Sequence, residues 1–267
     1  MHDCGLIEIN NLLRYQLLEV IRVAQSKKLR LLTATQVVEE QQRGAIVLDT
    51  RPAQQFAAVH IRGAIQIGLV GPFSSWATML LEPNQKLVVV ANDASSAEEA
   101  HARLARVGFE RVIGYLLADE ARWCEANIPL ASIPTHRCGD VQRALAADPS
   151  LQLVDVRSRA EWLRGHLPGA VSVPLLDFES SAQLIDRSKP SIVYCHAGFR
   201  ASTAVSILRR QSSNDIGIFL DGFEGWSALG LPLEVPSTEC IDRNSQVVAL
   251  LQTVLRSSVR PVSLLLS

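Results

Sequence analysis

The chain of 267 residues repeats itself. Asp49-Thr50-Arg51 is followed by Phe56, His60, Ile61, Gly63 and Ala64, and Asp155-Val156-Arg157 by Trp162, His166, Leu167, Gly169 and Ala170. Each member of the first set lies 106 residues before its counterpart. The correspondence resumes further on, where Trp123 and Pro129-Leu130 match Trp226 and Pro232-Leu233. Seven matched positions at one offset imply two copies of one fold, each of ordinary domain size. The expected division is a first domain at 31–131 and a second at 132–236. Extensions at 1–30 and 237–267 flank them.

Within each copy, short apolar runs alternate with helical patterns. Thr33-Ala34-Thr35-Gln36 has the spacing of a capping box opening a helix that runs to about Gln42. Strands are predicted at 45–49, 86–91 and 111–115, with a helix over 95–107 stopped by Gly108. In the second copy the strands fall at 151–156, 191–194 and 216–220, with a helix over about 201–210. Apolar strands separated by helices pair in parallel and are covered on both faces. The fold class is therefore α/β, twice. Leu12, Leu13, Leu17, Val20 and Ile21 recur at helical spacing, as do Val247, Leu250, Leu251, Val254 and Leu255. These terminal helices pack on the domains or form a homodimer contact.

With 48% apolar and 20% charged residues the chain can build real cores, and its net charge of −1 gives no reason to expect a nucleic-acid partner. No apolar run reaches the ~20 residues of a membrane span, and the first residues lack the layout of a secretory signal. The five cysteines, at 4, 124, 138, 195 and 240, include no CxxC pair and suggest neither a disulfide framework nor a zinc site. Reduced thiols in a cytoplasmic protein are the simpler expectation.

One of those cysteines stands apart. Cys195 ends the apolar run Ser191-Ile192-Val193-Tyr194 and is followed by His196-Ala197-Gly198-Phe199-Arg200 and a helical stretch. A loop of that kind can aim backbone N–H groups at the sulfur, and the helix behind it points its positive end the same way. Both favour the thiolate, the reactive form. Asp155, Arg157 and His166 have counterparts in Asp49, Arg51 and His60, which favours structural roles over chemistry. The other cysteines have no motif around them, and Trp123 and Trp226 are expected to anchor the two cores.

These residues resemble a known family. Asp155-Val156-Arg157, Glu161-Trp162 and Gly165-His166-Leu167-Pro168-Gly169-Ala170 resemble the N-terminal signature of rhodanese domains. Cys195 to Ser202 resembles their C-x-x-G-x-R active-site loop, and Asp221 to Trp226 with Gly230-Leu231-Pro232 resembles their ending. The resemblance implies sulfurtransferase chemistry, in which a sulfane sulfur from thiosulfate or a small persulfide is carried on Cys195 and passed to cyanide or a thiol. It implies that the N–H groups of His196, Ala197, Gly198, Phe199 and Arg200 hold the sulfur, and that Arg200 contacts an anionic donor or braces the loop. It implies no metal and no organic cofactor. Related phosphatases on this fold place five residues between cysteine and arginine where this chain has four, and the tighter ring suits one sulfur atom. The first copy has Ala91 opposite Cys195 and no arginine in its loop, so it should be catalytically silent. The pair is also similar to the rhodanese portion fused to metallo-β-lactamase-fold persulfide dioxygenases. That likeness implies a sulfur-pathway setting, in which a separate dioxygenase is one partner and a non-turnover scaffold or sulfur carrier is the alternative role.

Overall fold

A computed structural model describes residues 29–211 and 215–236. Both terminal amphipathic stretches lie outside the described residues.

The first domain contains α1 (Ala34–Gln42), β1 (Ile46–Asp49), α2 (Ala53–Ala58), β2 (His60–Ile61), β3 (Ile65–Gln66), α3 (Phe73–Leu80), β4 (Leu87–Ala91), α4 (Ala94–Ala105), β5 (Val112–Leu117), α5 (Glu120–Glu125) and β6 (Leu130–Ala131). The second contains β7 (Thr135–His136), α6 (Cys138–Ala147), β8 (Gln152–Asp155), α7 (Arg159–Leu163), β9 (Val171–Ser172) and α8 (Phe178–Ser181), then β10 (Ser191–Tyr194), α9 (Phe199–Gln211), β11 (Ile216–Phe219) and α10 (Gly222–Ala228). The Thr33 capping box is formed in both directions, Gln36 N–H to the threonine hydroxyl at 3.3 Å and Thr33 N–H to the Gln36 side chain at 3.0 Å. It satisfies two of the amides that a helix start leaves unpaired.

The two main sheets are parallel, in the orders β3-β1-β4-β5 and β7-β11-β10-β8-β9, and β2 pairs antiparallel with β6. An isolated parallel bridge from Leu31 to Tyr115 occupies in the first sheet the place of β7 in the second. The repeat extends to register: Asp49 sits opposite Val90, and Asp155 opposite Tyr194. Each domain also ends by returning to its histidine, His60 against Ala131 and His166 against Glu234.

β4 shows why these strands read as unbroken apolar runs. Val88 and Val90 enter one buried cluster, and Leu87, Val89 and Ala91 enter another on the opposite face. Both faces are covered, so period-2 alternation of polarity disappears. Among the described residues no helix is long and apolar enough to cross a membrane.

The chain changes domains between Ile133, whose N–H donates to Ala57 O at 2.8 Å, and Pro134, whose carbonyl accepts from Ile218 N–H at 2.8 Å. α9 of the second domain packs against β3 and α2 of the first, and one apolar cluster runs through the contact, from Phe56 and Ile61 to Ala201 and Val205. The contact is also polar and buried. Gln66 N–H donates to the Ser206 hydroxyl at 3.0 Å, the Thr203 hydroxyl to Gln66 Oε1 at 3.4 Å, and Gln66 Nε2 to Arg51 O at 2.9 Å. Arg210 at the end of α9 donates to Gly63 O at 2.8 Å.

Candidate active site

β10 delivers Cys195 to the end of the sheet, between β8 and β11, and α9 begins four residues later. The helix starts earlier than its sequence pattern suggests, at Phe199, so Arg200 lies in its first turn and the loop proper is residues 196–198. Cys195 is 1% accessible and packs in the apolar cluster that includes Val156, Val173 and Ala201.

The loop is held from outside by α10. Phe223 N–H donates to Cys195 O at 2.8 Å, and Glu224 N–H to His196 O at 3.0 Å. Both are first-turn amides of a helix that would otherwise lack acceptors. Gly222 makes the approach feasible: its φ is +58°, and a Cβ there would lie 2.5 Å from both carbonyl oxygens. Gly198 turns the chain into α9 with φ +81°, against Leu220 O. With these carbonyls engaged, the backbone N–H groups of residues 196–201 donate to no acceptor among the described residues. Six successive unengaged amides at a helix N-terminus, beside a buried thiol, are a donor set of the kind that can hold one compact anion.

The first domain fills the equivalent place with its own carboxylate. Thr50 N–H donates to Val90 O as Val156 N–H does to Tyr194 O, which makes Ala91 the counterpart of Cys195. Two residues later Asp93 caps α4, accepting from Ser96 N–H at 2.7 Å and from the Ser96 hydroxyl at 3.1 Å. Those hydrogen bonds hold the Asp93 carboxyl below its ordinary range. The helix start that follows a thiol in one domain is capped by a carboxylate in the other, and Ala91 stands in the place of Cys195.

Of the residues expected around the nucleophile, His196 and Phe199 point largely to solvent, with Phe199 43% exposed and His196 Nε2 3.8 Å from Glu224. Arg200 makes a bidentate pair with Glu161, at 2.7 and 2.8 Å. Its fork therefore faces a protein carboxylate, where a substrate contact or a brace on loop carbonyls was expected. Glu161 also closes a capping box with Ser158 at the start of α7. The Arg200 hydrogen bonds, with help from Ser158, hold the Glu161 carboxyl far below the usual range against the opposing effect of burial. The same bonds raise Arg200, and the nearby Cys195 charge adds to them. Both groups stay ionised.

Asp155 and Arg157 form a buried bidentate pair, with Arg157 Nη2 at 2.6 Å from the carboxylate and also donating to Gly165 O at 2.7 Å. Asp49 and Arg51 repeat it at 2.7 Å, with Val59 O as the extra acceptor at 2.8 Å. His166 stacks on Trp162 and its Nδ1 meets Trp162 O at 3.1 Å, as His60 stacks on Phe56 and meets Phe56 O at 2.8 Å. Burial pushes His60 down to about 4, so it is neutral near pH 7. The Tyr194 hydroxyl accepts from Leu167 N–H at 3.1 Å, and burial followed by the Asp155 charge pushes this phenol up, keeping it protonated.

Beside the loop lies an open cleft of about 560 Å³ lined by Arg157, Glu161, Arg164, His196, Arg200 and Phe223. Sequence reasoning gave no role to Glu161, Arg164 or Gly222. The Ser158-x-x-Glu161 spacing was a legible capping signal, but its partnership with Arg200, 39 residues away, was not. No cluster that could hold a metal ion occurs among the described residues.

A strand-to-helix turn with unengaged amides follows a buried cysteine in one of two like α/β domains. The rhodanese-like domain family matches over residues 33–125 and again over 139–229, and the chain belongs to that family. The "Putative sulfur carrier protein YrkF" of Bacillus subtilis is 23% identical over 155 residues, 55% of this chain and 83% of that protein. A protein named "Sulfurtransferase" from Allochromatium vinosum is 27% identical over 96 residues, 36% of this chain and 90% of that one. Among solved structures, a thiosulfate sulfurtransferase from Pseudomonas aeruginosa aligns with 78% of this chain and 44% of its own, at 21% identity and a TM-score of 0.35.

Proposed function

We propose that the second domain transfers sulfane sulfur through a persulfide on Cys195. The observation that carries this reading is the run of six unengaged amides, 196–201, around a buried thiol. Such a nest stabilises one compact anionic sulfur, first the thiolate and then the outer atom of the persulfide. The Cys195 thiolate attacks the sulfane sulfur of a donor. With thiosulfate the S–S bond breaks, its electron pair leaves with sulfite, and Cys195 keeps the sulfur as an anionic persulfide. Cyanide or a thiolate acceptor then attacks the outer sulfur, and the Cys195 thiolate leaves. No proton need move with cyanide, which makes a general base unnecessary. In this reading Arg200 supports the loop through Glu161, Asp155 and Arg157 brace the turn behind it, and the first domain is a silent packing partner. The names of the relatives, one a sulfurtransferase and one a sulfur carrier, agree with this chemistry.

Intact-mass spectrometry tests it. Wild-type protein incubated with thiosulfate or glutathione persulfide is expected to gain one sulfur atom that cyanide removes, and Cys195→Ser is expected to gain none. Absence of uptake from both donors, or equal uptake by Cys195→Ser, overturns the proposal. Uptake followed by transfer in a single round, without turnover, identifies the carrier role in place of the enzyme.

A further inference from the structure

The cleft beside the loop that follows Cys195 carries three guanidinium groups, and two of them are already neutralised. Arg157 is paired with Asp155, and its guanidinium also lies 3.9 Å from the Phe223 ring centre. Arg200 has both terminal nitrogens on Glu161. The third, Arg164, donates among the described residues only through Nε, to Ala160 O at 3.1 Å, and makes no ion pair with a described carboxylate. It is exposed at the rim, whereas Cys195 is buried. Positive charge is therefore cancelled close to the sulfur and left uncompensated at the mouth.

A donor must match that distribution. Thiosulfate is a small dianion whose sulfonate sits one bond from the sulfur it gives up, so it needs a free cation beside the amide nest. A thiol persulfide bears its sulfane sulfur at one end and, in compounds of the glutathione type, carboxylates several bonds away. Resting on the sulfur-transfer reading above, we infer that Glu161 and Arg164 are specificity-determining residues that select a carboxylate-bearing low-molecular-weight persulfide over thiosulfate as donor. Glu161 withholds the Arg200 fork from a sulfonate, and Arg164 receives the distal carboxylate. In the step so selected, the Cys195 thiolate attacks the outer sulfur of R–S–SH and the S–S bond breaks. Its electron pair leaves on the R–S group, and the persulfide proton passes to that leaving thiolate. The products are the anionic Cys195 persulfide and R–SH, with no external oxidant or reductant.

Steady-state kcat/KM with glutathione persulfide and with thiosulfate tests the assignment. Wild type should prefer glutathione persulfide by at least about tenfold, the scale of one charge-assisted hydrogen-bond pair. Glu161→Gln keeps a residue able to close the capping box, since glutamine serves at that position, but removes the charge that holds Arg200. It should move the ratio towards thiosulfate by about tenfold. Arg164→Gln should raise KM for glutathione persulfide more than KM for 2-hydroxyethyl persulfide, which has no carboxylate. A wild-type preference for thiosulfate, or a ratio unchanged in Glu161→Gln, overturns the inference. If Glu161→Gln does not fold, the wild-type ratio and Arg164→Gln decide it. Absence of sulfur on Cys195 from either donor would instead refute the underlying sulfur-transfer reading.

Discussion

Gly222→Ala isolates the contact that holds the loop after Cys195 against α10. The new methyl carbon would lie 2.5 Å from the carbonyl oxygens of both Cys195 and His196, and these are backbone atoms that cannot rotate away. Relief requires α10 and the loop to separate, breaking the 2.8 and 3.0 Å hydrogen bonds from Phe223 and Glu224. Each such bond contributes about 1 kcal/mol net, and holding alanine at φ +58° costs about another 1. The expected loss is about 3 kcal/mol in urea unfolding. Gly230→Ala supplies the comparison, because φ there is +64° with nothing within 4 Å of the added carbon. It should lose only the backbone part, about 1 kcal/mol. Freed carbonyls also disorganise the amides they orient, so Cys195 sulfur loading in Gly222→Ala should slow by about a hundredfold, as when a preorganised donor is removed. The reasoning fails if Gly222→Ala loses no more stability than Gly230→Ala, or if it loads sulfur at the wild-type rate.

Two further perturbations probe the frame. His60 is neutral in the folded protein down to about pH 4 but titrates near 6.5 when unfolded. The unfolded chain thus binds the extra proton between those values, and stability should fall as pH drops from about 6.5 towards 4, by up to about 3 kcal/mol. Comparing the pH dependence of unfolding in His60→Gln with wild type checks this; identical slopes in that window would count against it. Gln66→Leu removes the side-chain partners of Arg51 O and the Thr203 hydroxyl in a buried interdomain contact, and should destabilise by about 2 kcal/mol. Amide hydrogen exchange should then quicken along α9, and unchanged exchange there would show that the first domain does not support the active-site helix.

The repeat, the α/β class, most strand positions and the place of Cys195 at a strand end were all legible in the sequence, because each rests on local pattern. Parallel strands buried on both faces leave apolar runs such as 87–91 and 191–194, and a capping box writes Thr33 and Gln36 three residues apart. That Ala91 stands opposite Cys195 was legible too, because the strands of the two copies align. What the sequence could not carry were pairings between residues far apart in the chain. Arg200 meets Glu161, the Cys195 carbonyl meets the Phe223 amide, and Gln66 meets Ser206 across 140 residues. Arg200 closes a recognisable loop motif, yet which anion its fork binds depends on what α7 brings beside it. Local spacing determines where strands, helices and caps begin. Only the packed sheet determines which charges cancel, which amides remain free, and therefore what the buried thiol can hold.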